Sequence, residues 1–97
     1  MAKPGPWAIY PEAMASDNAE VEAHAMIWFD DPVTANRYAM AESSHTVIRH
    51  HAYLVTPPAA EFAEFRPGIL VKSDSGRQQA INRLNFLSRV LSEGDDE

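Results

Sequence analysis

The apolar positions of this chain repeat with two different periods. Towards the C-terminus, Ala80, Leu84, Leu87 and Leu91 recur at helical spacing, and Ile81, Phe86 and Val90 widen the stripe. This predicts an amphipathic helix from about Gly76 to Ser92, entered through Ser73-Asp74-Ser75 and closed by Gly94. A second helix, Pro32 to Ser44, is predicted from Asp31-Pro32, an N-cap followed by the residue best suited to the first helical position. Its apolar stripe of Val33, Met40 and Ala41 is weak and shares its side with Arg37.

Elsewhere the period is two. Residues Thr46 to Val55 are rich in branched and aromatic side chains and end at Thr56-Pro57-Pro58, which predicts a strand. Alternation puts Ile48, His50, Ala52 and Leu54 on one face, and Val47, Arg49, His51, Tyr53 and Val55 on the other. Trp7-Ala8-Ile9-Tyr10, bracketed by prolines, predicts a short strand that pins Trp7 and Ile9 on the core, and Gly68 to Lys72 predicts another. Residues 17–29 carry both periods. Val21, Ala23, Ala25, Ile27 and Phe29 alternate as in a strand, whereas Met14, Val21, Ala25 and Trp28 share a helical stripe. Asp17 and Glu20 also have capping-box spacing. The run Ile27-Trp28-Phe29 favours a strand over 21–29. Residues 57–67, with three prolines, read as a crossing loop anchored by Phe62 and Phe65.

The order strand, strand, helix, strand, strand, helix predicts a small α+β fold. One single-layer, mainly antiparallel sheet would carry two helices packed on one face. The plan resembles the ferredoxin-like split β-α-β arrangement, or a permuted variant in which residues 7–10 supply the missing strand. Residues 1–97 suffice for one domain with a modest core, and 1–6 and 93–97 are expected to be flexible.

Composition narrows the chemistry. With no cysteine, disulfides, thiolate metal sites and cysteine nucleophiles are excluded. The N-terminus lacks the apolar stretch of a signal peptide, and no apolar run approaches a membrane span, so a cytoplasmic protein without membrane contact is expected. Charge is uneven. Residues 1–48 hold two basic against seven acidic side chains, 49–92 hold six basic against three acidic, and 93–97 add four acidic ones. A net charge of −6 disfavours binding to nucleic-acid phosphates.

Candidate chemistry centres on four histidines, His24, His45, His50 and His51. His50 and His51 project to opposite faces of a strand and cannot easily share an ion. His24 with His50 is the metal pair conceivable across neighbouring strands, yet no metal motif is present and no metal or cofactor is expected. His50 or His51 with Asp30 or Asp31 would make an acid–base dyad only in hydrogen-bond contact. Capping explains Asp30 and Asp31 as well, and it also explains Ser73-Asp74-Ser75-Gly76, which lacks the glycine spacing of a phosphate loop. Neither a G-x-S-x-G elbow nor a basic, aromatic-interleaved patch occurs.

Small size, missing catalytic motifs, an acidic N-terminal half and surplus aromatics point to non-catalytic protein–protein contact, with a partner or with itself. Glu20, Glu22, Trp28, Asp30, Asp31 and Tyr53 are the interface residues this implies. Two alternatives stand beside it. One is a ferredoxin-like enzyme or ligand-binding domain with a cleft lined by Arg49, His50 and Tyr53. The other is a nucleic-acid mimic using Glu20, Glu22, Asp30, Asp31 and Glu42 as pseudo-phosphates.

Overall fold

A computed structural model describes residues 4–94, so part of the expected flexible ends lies outside the described residues. Strand β1, Trp7–Pro11, opens the fold, and a single 3-10 turn follows over Glu12–Met14. Next comes a short helix, α1, Asn18–His24, and then strand β2, Ile27–Phe29, whose three side chains are all buried. The strand expected over 21–29 is therefore half helix. The Asp17 carboxylate accepts the Glu20 N–H at 2.9 Å, so the capping signal prevailed. The alternation upstream of Ile27 rested on alanines, which carry little strand preference.

Helix α2, Pro32–Thr46, starts as its cap predicts, with the Asp31 carboxylate accepting Thr34 N–H at 2.8 Å and Thr34 Oγ1 at 3.0 Å. It runs past Ser44 because Thr46 Oγ1 returns a hydrogen bond to Glu42 O at 2.8 Å. Val47 ends it in the left-handed region, φ 60°, an uncommon place for a β-branched residue. Strand β3, His50–Leu54, hence begins later than the expected Thr46. The buried stripe of α2 is Ala35, Tyr38 and Ala39, not the expected Val33 and Met40, which are exposed. Two alanines let the helix approach the sheet closely, and Tyr38 reaches across to Ser88, hydroxyl to hydroxyl at 2.6 Å.

The expected loop 57–67 contains strand β4, Phe62–Arg66. Pro67-Gly68, with Gly68 at φ 87°, reverses the chain into β5, Ile69–Lys72. Such a turn needs positive φ at its second position, where glycine is unstrained. Helix α3, Arg77–Gly94, buries Ala80, Leu84 and Leu87 as its periodicity predicts, with Leu91 packed beside them.

The five strands form one sheet in the order β3-β1-β2-β5-β4, every neighbouring pair antiparallel. β2 and β3 thus run the same way on either side of β1, and α2 connects them. Helices α2 and α3 cover one face over Ile9, Ile27, Phe29, Ile69 and Val71. The other face, expected to be bare of helices, carries α1, whose Val21, with Ala25 just beyond the helix, packs with Ala8, Tyr10, Trp28 and Val55. Two apolar clusters, one per face, account for the aromatics that one core could not absorb. Trp28 and Phe29 are both fully buried, one in each.

Candidate interaction surface

The register of β3 against β1 assigns every polar group along that strand. Pro11 to Trp7 pair with His50 to Leu54. Glu12 N–H donates to Arg49 O and Val55 N–H donates to Pro6 O, both at 2.9 Å. Odd-numbered residues of β3 therefore direct their backbone groups to β1. His50, Ala52, Leu54 and Thr56 direct theirs outward from the sheet edge.

Two of these four are already engaged. Ser43, from the last turns of α2, accepts the His50 N–H on Oγ at 2.7 Å, and its hydroxyl lies 2.8 Å from Ala39 O and 3.3 Å from His50 O. Glu22, from α1, accepts the Thr56 N–H on Oε2 at 3.3 Å. Between these clamps, Ala52 and Leu54 face out.

The surroundings of this edge are apolar. Among the described residues, seven large apolar side chains are exposed, and five of them belong to β3 or to the helix and turn that lead into it: Val33, Met40, Val47, Ile48 and Leu54. Val47 is the most exposed of all at 89%. An open cleft of about 620 Å³ lies between α2 and the start of β3, lined by Met40, Ser43, Val47, Arg49, His50 and His51 among others.

On the α1 side, β3 carries a charged cluster. His51 Nε2 lies 3.3 Å from Glu12 Oε1, and Arg49 Nε lies 3.9 Å from the same oxygen. Tyr53 stands edge-on to the His51 ring at 6.1 Å. Burial, and secondly the Glu12 carboxylate, raise the Tyr53 hydroxyl pKa above its usual 10.0. Tyr10 is raised in the same direction, first by burial and then by its 2.9 Å hydrogen bond to Glu20 Oε2. Asp31 is lowered, chiefly by the Thr34 N–H that it accepts.

The suspects from the sequence separate. His50 and His51 do face opposite sides of the sheet, by the pairing of β3 with β1. Asp30 follows Phe29, at the Trp7 end of β1, whereas His50 sits at the Pro11 end, roughly 13 Å away along the strand. The Asp30 dyad does not assemble. Asp30 instead packs against Gly5, where a Cβ would come within 2.4 Å of its Cα. His24 lies on α1, its Nδ1 3.2 Å from both Glu20 O and Glu20 Oε2, on the face opposite His50, so that metal pair does not meet either. His50 Nδ1 lies 2.7 Å from Ile48 O, and His45 packs on Phe86. No group of three or more potential ligands is gathered among the described residues.

Of the expected interface residues, Trp28 is fully buried and offers no surface. Its indole N–H donates to Ala25 O at 3.1 Å. The acidic residues hold local positions: Glu20 on Tyr10, Glu22 on Thr56, Asp31 on Thr34, Glu42 on Arg83 at 3.5 Å. Tyr53 does lie on the edge strand. Met40, Ser43, Val47 and Glu12 were missed, since each matters only through the position of β3 in the sheet. Among the described residues no helix is long and apolar enough to cross a membrane. Comparison with family models, curated proteins and solved structures found no match to this chain.

Proposed function

We propose that this chain acts without catalysis, through protein–protein contact made by the β3 side of the sheet. The carrying observation is that exposed Met40 and Val47 line the cleft beside β3, with exposed Leu54 on that strand and exposed Ile48 just before it, on an edge with outward-facing backbone groups. Exposed apolar groups beside an unpaired strand edge mark contact sites in folded proteins. The Val47 backbone supports the same reading, because strained conformations cluster where a surface is kept for use. We also read the β2-α2-β3 crossover as a split β-α-β unit, ferredoxin-like in plan, set in a wider sheet.

The test is a paired substitution. Met40→Lys with Leu54→Lys is expected to abolish association, measured by light scattering and by recovery of bound protein, without shifting the unfolding midpoint. Unchanged association would overturn the proposal.

A second reading rests on the cleft itself. Arg49 and the hydroxyl-bearing Ser43 and Ser44 line it beside His50 and His51, a set suited to a small anionic ligand. Histidine titration by NMR separates the two. Ligand-induced shifts confined to His50 and His51 favour the cleft, and unmoved rings favour the protein contact.

A further inference from the structure

We infer that the occupant of the β3 edge is a second copy of this chain, paired antiparallel about a two-fold axis through Tyr53. The inference rests on reading the β3 side as a contact face, and it names the partner and the register.

The register follows from which edge groups are open. An antiparallel pair exchanges both backbone hydrogen bonds between opposed outward residues. With Tyr53 on the axis, Ala52 of each copy opposes Leu54 of the other, so the open positions satisfy one another. His50 then opposes Thr56 of the second copy, and neither needs a new partner, because Ser43 and Glu22 already hold them. Centring the axis on Ala52 instead would oppose Leu54 to His50, whose N–H Ser43 occupies. Only this register opposes the two open positions to each other, and it ends the ladder at the two clamps.

The side chains agree. On the α2 face, Leu54, exposed at 61%, would cover Ala52 of the second copy. On the α1 face, Arg49 precedes the strand and Glu22 sits at Thr56 beyond its end. The two-fold brings Arg49 of one copy towards Glu22 of the other, twice over. This charge pattern is complementary to itself and steers the pairing into antiparallel alignment. The Arg49 side chain, 73% exposed, is held only by a 3.9 Å contact with Glu12, so a second carboxylate can share it.

The test uses the absence of native cysteine. Opposed residues on the axis form a non-hydrogen-bonded pair with Cα atoms about 4.5 Å apart, within disulfide range. Full-length Tyr53→Cys, oxidised, is expected to give a covalent dimer in high yield. His51→Cys, whose copies would lie four residues out of register, is expected to stay uncoupled. Circular dichroism checks that both fold. Sedimentation of the unaltered chain is expected to show dimers, with Leu54→Lys weakening them about tenfold or more. Leu54 is exposed enough that this change leaves the monomer folded. A chain that is monomeric at every concentration overturns the inference, and so does equal cross-linking of Tyr53→Cys and His51→Cys. If the chain is monomeric but Leu54→Lys abolishes capture of a different protein, self-pairing is overturned and the contact face survives. If it is monomeric and captures nothing, both fall.

Discussion

The two edges of the sheet are built differently. β4 carries Glu64 and Arg66, is broken by a bulge between them, and ends at Pro67. Charge, bulge and proline are the devices that keep an edge strand from pairing with another chain. β3 has no bulge, and its polar side chains, His50 and His51, crowd its start behind Arg49, which precedes it. From Ala52 to Leu54 it is uncharged and flanked by exposed aliphatic side chains. Its blunting is confined to the ends, where Ser43 and Glu22 occupy His50 and Thr56. A fold that guards one edge throughout and the other only at its margins leaves a short, defined opening. The comparison thus turns an exposed strand into a site with a length and a register.

The largest expected effect comes from removing the guard on β4. Glu64→Thr with Arg66→Thr would give the sheet two adhesive edges, and a molecule with two such edges grows without closing. Light scattering should then rise steadily with concentration, while the free energy of unfolding stays within about 0.5 kcal/mol of the parent. Continued closed assembly would show that the bulge alone protects β4.

Next in size is Ser43→Ala. It removes the His50 hydrogen bond, leaving that N–H to water, and should destabilise the fold by about 0.5–1.5 kcal/mol in chemical denaturation. It also opens a further edge position, so cross-linking through Tyr53→Cys should lose its selectivity over His51→Cys. Retained selectivity would mean that the clamp does not set the register.

Val47→Gly should act in the opposite direction. Glycine accepts the left-handed conformation without the penalty of a Cβ, so the fold should gain about 1 kcal/mol. The exposed Val47 side chain is lost from the contact face at the same time, so association should weaken as stability rises. A parallel change in both would place Val47 in the fold's service rather than the surface's.

The smallest effect is a pH slope. Tyr10 and Tyr53 are both raised above 10.0 in the folded chain. A raised folded pKa means that the neutral hydroxyl is favoured by folding. The corresponding stability is complete below about pH 10 and is lost as pH climbs through the folded values. Tyr53→Phe should flatten part of this alkaline decline in thermal melts, and an unchanged slope would remove Tyr53 from it.

Much of the fold was legible in local pattern. Asp31-Pro32 and the leucine stripe of α3 state their helices outright, and the alternation of His50 and His51 survives in the sheet. What misled was composition. Ala23 and Ala25, alternating with Val21, imitate a strand while the Asp17 cap specifies a helix, and the prolines around 57–67 conceal β4. Thr46-Val47-Ile48, strand-like in residue type, serves instead to end α2. The candidate surface was less legible. Tyr53, His50 and His51 stood out, but the meaning of Ser43, Glu22 and Leu54 depends on β3 lying at an edge and on which parity of residue faces β1. Sheet order and register are long-range facts with no local signature. Trp28 marks the same limit: surplus aromatics suggested exposure until α1 supplied a second core.

The most direct test is amide hydrogen exchange, read residue by residue at several protein concentrations. Ala52 and Leu54 face out from β3, and Phe62 and Glu64 face out from β4, because Glu61 O accepts Ser73 N–H on the β5 side. These four amides are the two edges in one experiment. Protection of Ala52 and Leu54 that grows with concentration, while Phe62 and Glu64 stay fast, is the predicted result. Equally fast exchange of all four at every concentration would contradict the pairing of β3.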